Sequence, residues 1–257
     1  LCLKLVSYYV DHKTLISIGQ IIKLDHIKKL SINRTKVETI NILSFGGLTE
    51  LECENTKITN VDDLIHLTKL VCTDCFIESI NLPKLETLIY DRAPIQNFDN
   101  LTSLKKLSCR YGRVTAINII GLIFLDCTGT RINNINHLIN LETLYCSRCP
   151  ISTIYSYANT KLKYLNCDKT YVTYVNHLLA LEELSCSYCL INYIQLPAIK
   201  ILKCKGTNVT TVDHLITLEK LDCSFTYIGQ INLPNLVHIF CYGSAITDFS
   251  NLPKLKK

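Results

Sequence analysis

The stretch LKCKGTNVTTVDHLITLEKLDCSFTYIGQINLPNLVHIFC, residues 202–241, contains two full turns of a repeat and the start of a third. In each turn a leucine or isoleucine stands two residues before a cysteine. The cysteine marks the repeat, and twelve residues occupy this marked position: Ile32, Cys53, Cys72, Tyr90, Cys109, Cys127, Cys146, Cys167, Cys186, Cys204, Cys223 and Cys241. Spacings of 18 to 21 residues predict a solenoid of stacked coils, because globular folds do not repeat at so short a fixed period.

Longer and shorter coils alternate, so that the true period is a pair of coils. Cys167, Cys204 and Cys241 stand 37 residues apart, as do Cys53, Tyr90 and Cys127. One interval is 40 residues, where residues 155–161 replace the usual turn. Duplication of a two-coil unit explains this pattern.

The spacing of apolar residues predicts the structure of one coil. The core leucine and the marked residue are two apart, so both face the same side of a short strand. Beyond the strand, apolar residues recur at every third position: Ile58, Val61, Leu64, Leu67, Leu70. Period three suits a 3₁₀ or extended return. The fold class is therefore a mainly β solenoid, of the α/β type, in which parallel strands stack about 4.8 Å apart.

The motif L-x-x-L-x-C-x-x-T-x-I resembles the leucine-rich repeat, over residues 27–257. With coils this short, it is similar to the repeat proteins of giant DNA viruses and to short bacterial effector-type repeats. The resemblance implies a ribbon of about 12 coils, with strands on the concave face and returns on the convex face. The asparagine ladder of that family is replaced here by Thr, Cys, Ala, Gly or Ser, three residues after the mark. We expect weak corner hydrogen bonding where Cys, Ala or Gly stands there.

Residues 1–26 lie outside the repeat. Leu15, Ile18 and Ile22 are spaced for one face of a helix, and Leu1, Leu5 and Tyr8 could form a second helical face. A helical N-terminal cap over the first coil is one prediction. The alternative is an F-box remnant, since residues 5–8, 11–18 and 22–23 resemble the second half of an F-box. That resemblance implies a Skp-type ubiquitin ligase subunit as partner.

Cysteine placement bears on the cellular compartment. Ten of the 14 cysteines occupy the marked position, and Cys75, Cys149 and Cys189 stand three residues after a mark. This pattern predicts buried, reduced thiols that act as small apolar side chains. A reducing compartment follows: the cytoplasm, or the host cytoplasm if the protein is viral. A secreted or surface recognition module, with paired cysteines, is the alternative.

No catalytic, metal or cofactor site is predicted. Two neighbouring C-x-x-C pairs, such as Cys146/Cys149 and Cys186/Cys189, lie two coils apart, or about 10 Å, which is too far to share one zinc ion. His137, His177 and His214 are spaced in the same way and are interpreted as turn residues. No nucleophile, paired-carboxylate or nucleotide-loop pattern stands out, so we expect no enzyme.

Charge and hydropathy narrow the range of partners. The net charge of +5 is mild, and lysine and glutamate are mixed along the chain, so neither nucleic acid nor a membrane surface is expected as partner. No apolar run approaches the roughly 18 residues of a membrane span.

The outward strand positions and the residues just beyond them form the candidate site. Along the first coils these positions alternate in charge, at Lys29, Glu50 and Lys69. Further along they become aromatic, with basic residues between the rings. Exposed aromatic and arginine side chains are enriched at binding hot spots. The predicted partner-binding residues are Arg110, Phe124, Tyr145, Arg148, Tyr164, Lys169 and Tyr188. The predicted function is a non-enzymatic scaffold that binds a protein partner, with the ubiquitin ligase adaptor and the surface module as alternatives.

Overall fold

The computed structural model describes residues 2–4, 26–40, 45–95, 98, 100–154 and 161–256. The chain divides into two compact units: unit 1, Leu1–Leu122, and unit 2, Ile123–Lys257. Each unit is a ladder of three-residue strands in which all neighbouring strands are parallel.

The strands of unit 1 are β1 Cys2–Lys4, β2 Lys29–Ser31, β3 Glu50–Glu52, β4 Lys69–Val71, β5 Thr87–Ile89 and β6 Lys106–Ser108. Those of unit 2 are β7 Phe124–Asp126, β8 Thr143–Tyr145, β9 Tyr164–Asn166, β10 Glu183–Ser185, β11 Ile201–Lys203, β12 Lys220–Asp222 and β13 His238–Phe240. Twelve of these strands end immediately before a marked residue, as the repeat predicted.

The register is the same at each step within a unit. The central leucine of one strand lies opposite the central leucine of the next, as at Leu30↔Leu51 and Leu184↔Leu202. Hydrogen bonding continues past the strand, since the amide of Cys53 donates to the carbonyl of Val71 at 2.8 Å. The core leucine and the marked cysteine are buried together, as predicted, and nine of the ten marked cysteines are 0% exposed.

The returns are chains of tight turns. The amides of Leu64 and Leu67 donate to the carbonyls three residues earlier, Val61 and Leu64, at 3.0 and 2.9 Å. The same bonds recur at Leu138 and Leu215 in unit 2. These i→i+3 bonds explain the period of three, because each turn returns an apolar side chain to the core.

Corner hydrogen bonding is stronger than the sequence suggested. The Thr56 hydroxyl donates to its own coil, at Cys53 O (2.7 Å). The prediction of weak bonding at cysteine was wrong, because the thiols donate as well. They reach the preceding coil instead, as the Cys149 thiol donates to Cys127 O at 3.0 Å. The Cys75 and Cys189 thiols do the same.

The N-terminal prediction needs one correction. Cys2–Lys4 was placed in a helical cap but forms strand β1, which pairs in parallel with β2. The helical faces predicted within residues 5–25 lie outside the described residues. The same holds for all of the F-box resemblance, so the F-box and its Skp-type partner stay predictions.

Candidate partner-binding surface

Three of the predicted binding residues lie on the strand face of unit 2, the surface formed by the outward side chains of β7–β13. Phe124 and Tyr164 occupy the first position of β7 and β9, and Tyr145 the last position of β8. The rings of Phe124 and Tyr145 are 5.9 Å apart and tilted by 51°. Tyr145 and Tyr164 are 37% and 42% exposed. Partial burial, together with the nearby Glu183 and Asp126 carboxylates, raises the pKa of the Tyr145 phenol.

Three more predicted residues share a backbone conformation that the sequence did not reveal. Arg148, Lys169 and Tyr188 follow their marked residue by two positions and have φ of 61°, 57° and 62°. Each of the twelve marked coils has a left-handed residue at this point. Nine are not glycine, namely Arg34, Asn55, Asp74, Arg92, Tyr111, Arg148, Lys169, Tyr188 and Phe225, and three are Gly129, Gly206 and Gly243.

This left-handed turn column has a structural cause. The amide of Tyr188 donates to Lys205 O of the next coil at 2.8 Å, and that of Lys169 donates to Ser187 O at 2.9 Å. The turn thus adds one more rung to the ladder of backbone hydrogen bonds, which offsets the roughly 1–2 kcal/mol that a left-handed non-glycine residue costs. The same turn directs a run of long side chains outward along unit 2.

The left-handed turn column of unit 2 carries a chain of cation–aromatic contacts. Lys169 Nζ lies 5.4 Å from the centre of the Tyr188 ring, and Lys205 Nζ lies 6.0 Å from it. Lys205 Nζ is also 5.3 Å from the centre of the Phe225 ring, which meets Tyr242 edge-on at 5.2 Å. The binding residues predicted from the sequence do not include Lys205, Phe225 or Tyr242. The available signal was their place just after the mark, which Phe225 follows by two positions and Lys205 and Tyr242 by one.

Two glycines make room for these rings. A Cβ on Gly206 would lie 2.8 Å from Cδ1 of Tyr188, and one on Gly243 would lie 2.9 Å from Cδ1 of Phe225. Each glycine follows the aromatic residue by one coil. The rings therefore lie along the column rather than projecting freely into solvent.

Arg110, the remaining predicted residue, belongs to unit 1 and has a structural partner. Its guanidinium donates to Asp91 Oδ2 through Nε (2.8 Å) and Nη2 (2.5 Å). Asp91 is buried and also accepts a hydrogen bond from the Ser108 hydroxyl at 2.7 Å. The Arg110 side chain is still half exposed, so it can meet a partner, but its charge is already compensated.

A shallow hollow of about 290 Å³ lies on the strand face over β11–β13. Ile201 and Phe240 contribute its apolar surface, and Lys203, Lys220 and His238 its basic side chains. Phe240 is 69% exposed. None of these residues was among the binding residues predicted from the sequence, because single outward positions show no pattern until the strands are stacked.

The cysteines form a ladder inside the coils. All fourteen thiols are free, and only Cys2 is exposed. Burial raises the pKa of the Cys146 and Cys186 thiols well above the usual value, so they do not have the thiolate character of reactive cysteines. Within the described ranges, no three His, Cys, Asp or Glu side chains are grouped so that they could hold a metal ion.

The histidines of the longer coils lie in turns, as predicted, and His137 and His214 are exposed. His214 also connects two neighbouring coils. The His214 ring makes a 2.5 Å hydrogen bond with Ile194 O of the preceding coil and stacks on Tyr193 at 5.3 Å. His177 stacks on Tyr174 at 5.4 Å. Burial lowers the pKa of His177 below its ordinary 6.5.

Comparison with known proteins identifies the fold. No protein-family model matches the chain, and no curated protein sequence matches it. Among solved structures, a leucine-rich repeat protein of Leptospira interrogans, LIC12759, aligns with a TM-score of 0.75 at 18% identity, over 93% of this chain and 79% of that one. The functional domain of InlJ from Listeria monocytogenes, which includes a cysteine ladder, aligns with a TM-score of 0.72 at 22% identity.

The alignment with InlJ covers 93% of this chain and 63% of the InlJ domain. YopM from Yersinia enterocolitica aligns with a TM-score of 0.65 at 17% identity, over 90% and 64% of the two chains. At these identities the likeness concerns the fold alone. The fold is that of leucine-rich repeat proteins, a parallel solenoid with a cysteine ladder, as the repeat predicted. In the described part of the chain, no helix has the length and apolar character needed to cross a membrane.

Proposed function

We propose that the protein is a non-enzymatic scaffold that binds a protein partner through unit 2, with Phe124, Tyr145 and Tyr164 as anchors. The observation that carries this proposal is the run of exposed aromatic side chains on a strand ladder of uniform register. Rings held by their neighbours lose little freedom when a partner docks, and this lowers the entropic cost of binding.

The proteins of similar fold support the general class. One of them comes from a complex of LRIM1 with APL1C and aligns with a TM-score of 0.66. Another, TLR13, was solved with a single-stranded RNA, with a TM-score of 0.64. Protein binding is favoured here because the cross-strand neighbours of Tyr145 are Asp126 and Asn166, which are acidic and neutral, whereas nucleic-acid binding calls for basic neighbours.

The test is affinity capture from the cells that naturally make the protein, comparing the wild type with Tyr145→Ala/Tyr164→Ala. Tyr174→Ala is the matched control, because Tyr174 is also exposed and ring-paired but lies in a return. We expect the control to retain the captured proteins and the double variant to lose at least one of them. Identical recovery by all three proteins would exclude the strand face as the binding site.

We propose further that the protein works in a reducing compartment such as the cytoplasm. The support is the cysteine ladder, in which the Cys53, Cys127 and Cys167 thiols are fully buried in the core. Thiols of this kind serve as small apolar side chains. Thiol counting, described in the Discussion, tests this proposal against the secreted alternative.

A further inference from the structure

Several outward cations of unit 1 are paired with carboxylates. Lys29 pairs with Glu50 at 2.6 Å, Arg92 with Asp74 at 2.5 Å, and Arg110 with Asp91 at 2.5 Å. Of the eight ion pairs between described residues, seven lie in unit 1 and one, Lys200 with Glu182, in unit 2. Six cations of unit 1 therefore have a carboxylate partner within 4.0 Å, whereas one cation of unit 2 does, among the described residues.

The cations near the strand ends of unit 2 are not balanced in this way. Among the described residues, no carboxylate oxygen lies within 4.0 Å of Arg148, Lys169 or Lys205, since none of them belongs to an ion pair. Lys169 and Lys205 lie over aromatic rings instead. A ring stabilises a cation without cancelling its charge, so Lys169 and Lys205 keep their full positive charge over the rings.

The acidic residues beside these cations are occupied by neutral donors. Asp168 Oδ1 accepts hydrogen bonds from the Ser185 hydroxyl at 2.8 Å and from the Ser187 amide at 2.7 Å. Asp222 accepts from the Ser224 amide at 3.0 Å. Both carboxylates bind the turns between coils and keep their negative charge, but Arg148, Lys169 and Lys205 are three cations beside these two carboxylates, and none of the three is in an ion pair with a described residue.

We propose that the cationic–aromatic column, defined as Arg148, Lys169, Tyr188, Lys205, Phe225 and Tyr242, docks an extended acidic segment of the partner protein. This inference rests on the proposed function and names the chemistry of its partner. The column crosses six coils, or roughly 24 Å at about 4.8 Å per step. An extended chain covers that distance with about seven residues, and its carboxylates would meet the ammonium groups held over the rings.

Single-stranded nucleic acid fits the column less well. Base recognition of this kind uses open aromatic faces on which bases stack. Here Lys169 and Lys205 lie over the Tyr188 ring, and Lys205 also covers Phe225. Carboxylates need access only to the ammonium groups, and exposed Lys169 provides it.

The test measures binding of a fluorescent peptide of alternating glutamate and alanine, about ten residues long, by anisotropy at low salt. A peptide of alternating lysine and alanine and a labelled oligouridine of the same length are the comparison probes. Lys169→Gln/Lys205→Gln is the test variant. Lys57→Gln/Lys105→Gln in unit 1 is the matched control, because it makes the same charge change at two paired lysines.

We expect the acidic peptide to bind the wild type and the control, and the test variant to bind it on the order of tenfold more weakly. Added salt should weaken binding as well. Equal loss in both variants, absence of binding, or tighter binding of oligouridine would overturn the proposal. If the acidic peptide fails to bind while captured partners still depend on Tyr145 and Tyr164, this inference alone fails and the proposed function stands.

Discussion

At the scale of the residue, the left-handed turn has the largest effect on the surface. Tyr188 and Phe225 hold φ of 62° and 55° at a position that glycine occupies in three other coils. A bulky residue is retained there although glycine would avoid the strain. The backbone of this turn is therefore the same from coil to coil, and the outward side chain is what differs.

Gly206→Ala tests the contact between glycine and ring. The new Cβ would meet Tyr188 at 2.8 Å, and Gly206 has a φ of 65°. We expect a loss of about 1–2 kcal/mol in the free energy of unfolding, measured in urea. Gly121→Ala is the control, because its Cβ would lie at an ordinary 3.6 Å from Leu104 O. Equal stability of the two variants would show that the ring does not rest on Gly206.

The thiol at the corner makes a separate prediction. Cys149→Ala removes the hydrogen bond to Cys127 O and leaves that buried acceptor with one donor fewer, so we expect a loss of about 1 kcal/mol in urea unfolding. Cys149→Thr should cost less, because threonine fills this corner in other coils and donates to its own coil, as Thr56 does. A threonine variant less stable than the alanine variant would contradict this account of the corner.

At the scale of the coil, neighbouring returns are joined by side chains as well as by backbone. Asn176 Oδ1 accepts from the Gln195 amide at 2.7 Å, and Asp213 Oδ1 accepts from the Asn232 amide at 2.7 Å. These bonds repeat at an interval of one coil pair. The longer coils marked by Cys53, Cys167 and Cys204 thus each supply an acceptor to the shorter coil that follows.

The lowered pKa of His177 should make the stability of the fold depend on pH. Burial depresses its pKa below 6.5, so below about pH 6.5 the unfolded chain binds a proton that the folded chain does not. Stability should therefore fall as the pH drops from 7 toward 5. His177→Gln should reduce the slope of unfolding free energy against pH over this range. An unchanged slope would mean that other groups cause the pH dependence.

At the scale of the whole chain, cysteine exposure gives the clearest prediction. Cys2 is exposed, Cys241 is half-buried, and the other twelve thiols are buried. A thiol reagent added to the native protein should react quickly with Cys2 alone. In denaturant without a reducing agent, all 14 cysteines should react. Fewer reactive thiols after denaturation would indicate disulfides and favour the secreted alternative.

The sequence predicted much of the fold because the repeat reports directly on burial. The spacing of Leu202 and Cys204 was enough to orient a strand, and the charge pairing of Lys29 with Glu50 followed from the alternation. The turn conformation could not be predicted, since Arg148, Lys169 and Tyr188 have no residue type in common. The cationic–aromatic column could not be predicted from the sequence either, because Lys205 contacts Tyr188 and Phe225 only after the coils are stacked.

The uniform register has a consequence for inheritance. Ser185 and Asp222 occupy the same point in their strands, one coil pair apart. Excision of residues 186–222 would join Ser185 to Cys223, and the repeat motif would continue in register across the junction. Unequal recombination between copies could therefore add or delete one pair of coils in frame. Related genes should then differ in length by whole pairs of coils.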